Sequence, residues 1–416
     1  MGTPTRRLAL FLPFLPVGIA LVLPACGAGP RPPANAAADT VVAALVATIG
    51  VVDGAPEYQF GAISSVAADP GGRVYVADRL DSSVRVFDAD GRFLDWIGTR
   101  GAGPGEYQLP AGIDVGPDGR VYVRDGHRIT VLGPREPGAV ADSVLATWPL
   151  PGYANLRGAR GAVTADGRYL YPFSLYSPPR HFYIVYAGGE PRPDTLHVPA
   201  YPNHAANQPA VLPPRDGRCC RIAVGLNHTP FTALPAWTAT PRGTVLSGDG
   251  IAYRIHETGP AGDTLRTILG ADTVTRPVPD GERADSARAL QARIDSLPVP
   301  LARVRNVPDE VREGRFPERL PAFIGLHLGT DGRIWVERWP PEHRGDERFF
   351  DVLGPDGARL AVVVVPAALS RDVPPFLTTD RIYGVVADPA TGVERVVVAR
   401  YHIAAPAVAA ASADAP

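Results

Sequence analysis

Residues 93–125 read FLDWIGTRGAGPGEYQLPAGIDVGPDGRVYVRD, and this stretch decides the fold. The β-branched runs at 113–115 and 121–123 predict two short strands. The turn between them, residues 116–119, is tight because proline presets one turn dihedral and Asp-Gly supplies a residue that tolerates positive φ. Residues 99–105 hold three glycines and a proline. That segment therefore predicts a corner between two sheets rather than a helix or a central strand.

The run GAGPGEYQLPAGIDVGPDGRVYVRD resembles an NHL repeat, the unit of a family of six-bladed β-propellers. The resemblance is strong over about residues 60–126, and its residues are Gly103, Pro104, Gly105, Glu106, Tyr107, Pro110, Asp118, Gly119, Val121, Val123 and Asp125. It implies a propeller fold. It does not imply an activity, because one fold hosts many activities.

Related strand–turn–strand phrases recur along the chain, and internal repetition at this period is typical of propellers. They are AADPGGRVYVAD ending at Asp78, VGPDGRVYVRD at Asp125, VTADGRYLYPF at Phe173, TATPRGTVLSG at Gly248 and LGTDGRIWVER at Arg338. The first three turns are about 47 residues apart, which matches one blade. The predicted blades cover residues 60–98, 110–150, 160–200, 234–270, 321–366, and 372–403 together with 41–51.

The sequence therefore predicts an all-β fold over residues 40–403, a six-bladed propeller whose ring is closed by the N-terminal strand 41–51. Closing a ring of antiparallel sheets removes free sheet edges. A seven-bladed ring is the alternative, because the blade boundaries in the middle of the chain are blurred. Two insertions are predicted, at 200–233 and 271–320.

One helical pattern lies in the second insertion, at Asp280–Leu297. Asp280 is expected to cap this helix, and an apolar stripe is expected on one face, formed by Ala287, Leu290, Ile294 and Leu297. We expect a short helix that packs on the rim of the ring. A lid or a partner-docking helix is the alternative.

The N-terminal residues 1–25 predict a lipoprotein signal peptide. An apolar stretch follows Arg6-Arg7 and ends in LPACG, which resembles the bacterial lipobox with Cys26 as the lipidated residue. A secretory signal with a chance cysteine is the alternative. Residues 26–39 predict a disordered tether, and residues 404–416 a disordered tail. These features predict export and a lipid anchor, in the outer membrane or on the periplasmic face of the envelope.

The pair Cys219-Cys220 is the most unusual local feature of the sequence. The chain has three cysteines, so once Cys26 is lipidated these two can pair only with each other or with another molecule. A vicinal disulfide is the first interpretation. Two free thiols and a metal site are the alternatives, the latter because three histidines flank the pair: His197, His204 and His228.

The long connecting segments all fall on one face of the predicted ring, and binding residues tend to lie on such loops. We therefore predict ligand binding on this loop-rich face. The candidate residues are Asp78, Arg79, Arg124, Asp125, Tyr176, Trp237, Arg338 and Trp339. The alternative is that the acids and arginines make loop hydrogen bonds and ion pairs, and that the aromatic residues pack between blades.

Composition and motifs limit the function. The net charge is −2, with 41 basic against 43 acidic residues and no basic stripe, which argues against nucleic acid. No known catalytic motif or cofactor motif is present. We therefore predict a lipid-anchored, non-enzymatic propeller that binds a protein, peptide or glycan. A propeller hydrolase or lyase that uses a divalent metal in the funnel is one alternative, and an envelope assembly scaffold is another.

Overall fold

The structure, a computed structural model, describes residues 39–134, 143–150, 159–176, 179–188, 190–201, 210–212, 224–270, 275–341 and 344–404. The predicted signal peptide with Cys26, nearly all of the tether and tail, and the Cys219-Cys220 pair lie outside these residues. The same holds for the side chain of Tyr176 and for His204.

Six antiparallel sheets follow one another along the chain and form a six-bladed β-propeller. Blades 1 and 2 contain the strands Ile63–Ala68, Val74–Asp78, Ser83–Phe87 and Phe93–Ile97, then Pro110–Val115, Val121–Asp125, Arg128–Leu132 and Val144–Pro149. Blades 3 and 4 contain Ala162–Val163, Tyr169–Tyr176, Pro179–Ala187 and Glu190–His197, then Ala236–Ala239, Val245–Gly248, Arg254–Thr258 and Thr264–Leu269. Blades 5 and 6 contain Gly325–Leu328, Ile334–Arg338, Arg348–Leu353 and Arg359–Val365, then Phe376–Leu377, Arg381–Ala387 and Glu394–Arg400.

The N-terminal segment belongs to two blades. Thr40–Val42 pairs in parallel with the last strand of blade 5, and Ala44–Ile49 pairs antiparallel with Glu394–Arg400 of blade 6. Ala43 between them is fully buried, and its N–H donates to Val364 O at 2.8 Å. The single strand expected over 41–51 is therefore wrong in one respect, because the chain crosses from one sheet edge to the next at Ala43.

The repeated turns work as their sequence predicts. The glycine in the first-to-second turn has φ between 76° and 84° in five blades, at Gly72, Gly119, Gly167, Gly243 and Gly332. A residue with a Cβ rarely adopts this conformation, which explains why glycine recurs at that position. Each turn reverses the chain in a minimal loop and starts the next strand in register.

Neighbouring blades share hydrophobic clusters, and one cluster joins blade 6 to blades 1 and 2. Aromatic side chains lie at several of these interfaces. Tyr122 stacks on Tyr169 between blades 2 and 3 with ring centroids 4.7 Å apart, and Trp335 contacts Tyr401 between blades 5 and 6 at 5.1 Å. Burial of such large rings contributes strongly to the core.

Two α-helices occur in the described part of the chain, α1 at Asp280–Asp295 and the one-turn α2 at Asp309–Arg312, with 3₁₀ turns at Pro56–Tyr58 and Leu301–Arg303. The capping prediction is wrong: Pro279 is the N-cap residue and no side chain caps α1. Pro279 has the extended backbone that is usual at an N-cap, with φ −60° and ψ 140°. None of the described helices is long and apolar enough to cross a membrane.

Among the described residues, the apolar cluster that contains the buried side chain of helix α1 is formed by inserted residues. This side chain, Leu290, lies in a cluster drawn from both insertions, which also contains Ala210, Leu226, Val304, Val307 and Val311. We call residues 210–212, 224–232 and 275–320 the insertion module. Ala287, expected in the apolar stripe, is exposed. A smaller cluster of the module contains Phe231, Val278 and Leu320. Trp339, which follows the second strand of blade 5, packs against it.

Candidate functional site

A cavity of about 1020 Å³ lies between the blades. Most of its wall comes from six segments, one from each blade, within residues 68–72, 114–117, 159–165, 235–241, 324–330 and 371–383, and Ala89 and Glu337 complete it. These segments contain the first strand of each blade or its ends, so the first strands are the innermost ones. The cavity reaches the short-turn face at Gly72 and Pro117, and the loop-rich face at Glu337 and Arg371.

Two of the predicted binding residues hold the loops between blades. Asp78 is fully buried and accepts backbone N–H groups from Gly61 at 2.7 Å and Ala62 at 3.1 Å. Asp125, one blade later, accepts the N–H groups of residues 108–109 at 2.9 and 2.5 Å. Both carboxylates thus join the end of a second strand to the segment that enters the same blade, and neither lines the cavity.

Two of the predicted arginines at second-strand ends, Arg338 and Arg79, do not line the cavity either. Arg338 Nε lies 3.3 Å from Asp351, a carboxylate that also accepts from Arg359 at 2.8 Å and Tyr253 at 3.0 Å. Arg79 is partly buried, and its backbone N–H donates to Ala62 O at 3.0 Å. These contacts organise the ring where blades or loops meet.

Of the predicted residues with described side chains, Trp237 is the one that lines the cavity. Its ring stacks on His181 with centroids 4.1 Å apart, and His181 Nδ1 lies 2.5 Å from Ser174 Oγ. This arrangement fixes the indole as a flat apolar wall. Trp339 lies just behind the cavity, 5.2 Å from Phe231 between ring centroids.

Asp114 and Arg124 form a buried pair beside the cavity, and Asp114 contributes to its lining. Asp114 Oδ2 lies 3.2 Å from Arg124 Nε and accepts the Tyr169 hydroxyl at 2.6 Å, while Oδ1 accepts the Gly161 N–H at 3.0 Å. Burial lowers the pKa of Arg124, but Asp114 and nearby tyrosines raise it by more. Burial and then Asp114 raise the pKa of Tyr169. Asp114 therefore offsets the cost of burying the Arg124 guanidinium.

Arg160 contacts three blades. It enters from the start of blade 3, and its Nη2 donates to Val66 O of blade 1 and to Pro374 O before blade 6, both at 2.8 Å. Its guanidinium carbon lies 5.1 Å from the centroid of the Phe376 ring. Nη1 is inaccessible to solvent and has no hydrogen-bond partner. Burial lowers the pKa of Arg160 to about 10, so it remains charged at neutral pH.

Glu337 holds a cationic cluster at the loop-rich end of the cavity. Its carboxylate lies 3.4 Å from His327 Nε2, 3.4 Å from Arg371 Nε and 3.7 Å from Arg348 Nε. Burial raises the pKa of Glu337, but these three neighbours lower it by more. Arg371 also lies over the Trp339 ring, 5.2 Å from its centroid. One carboxylate therefore serves two guanidinium groups.

Sequence reasoning missed Asp114, Arg160, His327 and Arg371, since it looked for functional residues at second-strand ends. One signal was available: Asp114 is a charged residue inside the otherwise uncharged strand Pro110–Val115. Within the described ranges, no group of three or more His, Cys, Asp or Glu side chains is arranged to hold a metal ion. The described lining offers fixed positive charge, an aromatic wall and backbone groups, which together can bind a ligand.

One family model and several solved structures are similar to this chain. A family model described as a 6-bladed beta-propeller matches residues 55–131. Virginiamycin B lyase from Staphylococcus aureus is similar at 11% identity and a TM-score of 0.39, over 85% of this chain and 98% of that chain. A candidate exported protein from Bacteroides fragilis is similar at 10% identity and a TM-score of 0.45, over 86% and 94%.

PQQ-bound aldose sugar dehydrogenase from Streptomyces coelicolor is similar at 13% identity and a TM-score of 0.40, over 86% of this chain and 98% of that chain. No curated protein sequence matches the chain. At these identities the likenesses concern the fold alone. The class of protein that the fold and the site define is a six-bladed β-propeller with a charged central cavity.

Proposed function

We propose that this chain is an exported, lipid-anchored propeller that binds a peptide, a protein segment or a glycan, without catalysis, in the central cavity through its loop-rich end. The observation that supports the proposal is the cavity of about 1020 Å³, to which all six blades contribute. Pockets of roughly 300–1,000 Å³ accommodate small ligands, and they combine an apolar wall with a few placed polar groups. Trp237, Arg160 and Arg371 supply that combination here.

Binding in the cavity is tested with a substitution that places a large side chain there. Ala236 lines it and is only partly buried, so Ala236→Trp should obstruct the cavity without removing a charged group. Ala287→Trp, on the exposed face of α1, is the matched control. The exported protein and both variants are incubated with a pool of tripeptides and, separately, with oligosaccharides from the envelope, and bound species are identified by native mass spectrometry.

We expect the unsubstituted protein and Ala287→Trp to retain members of one pool and Ala236→Trp to lose them. Equal retention by all three proteins would place binding outside the cavity and contradict the proposal. Retention of no member of either pool would contradict it too. Circular dichroism of the two variants shows whether each keeps the strand content of the propeller.

The anchor is tested separately with Cys26→Ser. If Cys26 carries lipid, this variant leaves the membrane fraction, and the mass of the exported protein falls by that of the lipid. A variant that stays membrane-bound at unchanged mass would show that Cys26 is not the anchor. The outcome for binding in the cavity does not depend on this result.

A further inference from the structure

The charged side chains of the cavity wall are unequally compensated. Each lining carboxylate has an arginine partner: Asp69 with Arg73, Asp114 with Arg124, Asp380 with Arg381, and Glu337 with Arg371 and Arg348. The bonds of Arg160 go to backbone carbonyls, and no carboxylate in the described part of the chain lies within ion-pair distance of it. Positive charge without a carboxylate of its own therefore lies at Arg160, and two guanidinium groups share the single carboxylate of Glu337.

The guanidinium group of Arg371 is held in place by two neighbouring side chains. Its Nε faces Glu337 and its plane is supported by Trp339, which leaves both Nη atoms without a partner among the described residues. The side chain is 43% exposed and lines the cavity. A planar guanidinium with two free Nη groups matches the two oxygens of a carboxylate, and fixing the side chain beforehand lowers the entropy lost on binding.

Arg160 lines the same cavity, and its Nη2 donates to the carbonyl of Pro374, three residues after Arg371. Its buried Nη1 has no acceptor, and a buried donor without a partner is costly. An anion beside this side chain would offset that cost. It can accept a hydrogen bond from the guanidinium after a small displacement of the side chain, or stabilise the positive charge without direct contact.

The remainder of the wall suits a polypeptide. The first strand of each blade pairs with one neighbour only, so the backbone groups along its other edge are not used within the sheet. An extended peptide can bond to such an edge. Apolar side chains, among them Leu326, Leu328 and Phe376, line the same space and can contact the side chains of a peptide.

We propose that the cavity binds the free C-terminal carboxylate of a peptide, held by the two Nη atoms of Arg371, with Arg160 as a second positive charge. This inference rests on the proposed function and adds the chemical class of the ligand. The proposed contact pairs a carboxylate with guanidinium groups, so binding weakens as ionic strength rises.

The test compares one pool of N-acetylated tripeptides with free carboxylates and the same pool as C-terminal amides. Binding to the full chain is followed by native mass spectrometry, and the best binders by calorimetry. We expect the acids to bind at least about tenfold more tightly than their amides, and Arg371→Ala to remove that preference. Arg371→Lys keeps the charge without the fork and should recover part of the affinity. Arg254→Ala, an exposed arginine on blade 4 outside the cavity, should change nothing.

The inference would be overturned by equal binding of acids and amides, by binding of neither pool, or by an unchanged preference in Arg371→Ala. Ala236→Trp separates this inference from the proposed function. If acids and amides bind alike and Ala236→Trp blocks both, the cavity is a binding site for another chemistry. If Ala236→Trp blocks neither, the proposed function itself is contradicted. Uronic acid oligosaccharides that bind where the peptides do not would likewise overturn the peptide assignment.

Discussion

The propeller ring and the insertion module differ in how their cores are built. Every blade contributes to a cluster that it shares with a neighbour, and fully buried aromatic residues such as Trp335 and Phe87 lie in these clusters. The module has a separate core of aliphatic side chains around Leu290, Val304 and Val311. Small clusters with few neighbours open at lower free energy than a continuous core. We therefore expect the module to unfold locally while the ring remains folded.

Trp335→Ala tests the ring side of this comparison and should have the largest effect. Trp335 is fully buried between blades 5 and 6, in contact with Phe350 and Tyr401. Truncating a buried aromatic residue typically costs about 3–5 kcal/mol. The free energy of unfolding, measured by urea titration, should fall by that amount in one cooperative transition.

Leu269→Ala is the control, because this side chain is 66% exposed on the last strand of blade 4. Exposed substitutions of this kind usually change stability by less than about 0.5 kcal/mol. A similar loss in both variants would mean that the shared clusters are not what stabilises the ring.

Leu290→Ala tests the module side and should have a smaller, local effect. Removing a buried leucine side chain costs about 2–5 kcal/mol where the site is well packed, and less where it can relax. Hydrogen exchange should show lost protection in Asp280–Asp295 and unchanged protection in ring strands such as Val74–Asp78. Ala287→Gly, on the exposed face of the same helix, separates loss of helix propensity from loss of packing, at about 1 kcal/mol. Lost protection in both regions would mean that the module and the ring form one cooperative unit.

The pH dependence of Glu337 should have the smallest effect. Its pKa is lowered in the folded chain, so it stabilises the fold above its unfolded pKa, about 4.3 for a free glutamate, and this contribution is lost as pH falls through the folded pKa. The difference in unfolding free energy between the unsubstituted protein and Glu337→Gln should be largest near neutrality and shrink in acid. Glu318→Gln, an exposed control in the module, should show no such trend. A difference that grew in acid would contradict the assignment.

The fold could be predicted from the sequence because a short turn motif repeats in most of the blades. Asp118-Gly119 and its counterparts determine the turns, because glycine alone adopts their positive φ without strain. The module was not readable in the same way. Leu226 and Leu290 lie in one cluster although they belong to different insertions. A repeating sequence pattern predicts local structure and does not predict a contact between two distant segments.

The candidate site was only partly readable, for a related reason. Asp78 and Asp125 were predicted to bind ligand because an aspartate ends the second strand in both of their blades. The structure gives another reason for this repetition: each carboxylate accepts backbone N–H groups of the segment that enters its blade. Trp237 was a candidate because large aromatic side chains often line binding sites, and it does line the cavity. Arg160 and Arg371 lie in crossover segments that belong to no repeat, so only their positions in three dimensions bring them to one wall.

The division of the N-terminal segment at Ala43 has a consequence for the order of folding. Blade 6 lacks its outer strand until Ala44–Ile49, which precedes blade 1 in the chain, meets Glu394–Arg400 of blade 6. Pairing across nearly the whole chain carries a high loop-closure entropy and is typical of slow steps. Blades 1 to 4, each made of consecutive strands, can form while the chain is still emerging. Both edges that receive the N-terminal segment lie in the last two blades of the ring, which makes this junction the last part of the ring to form.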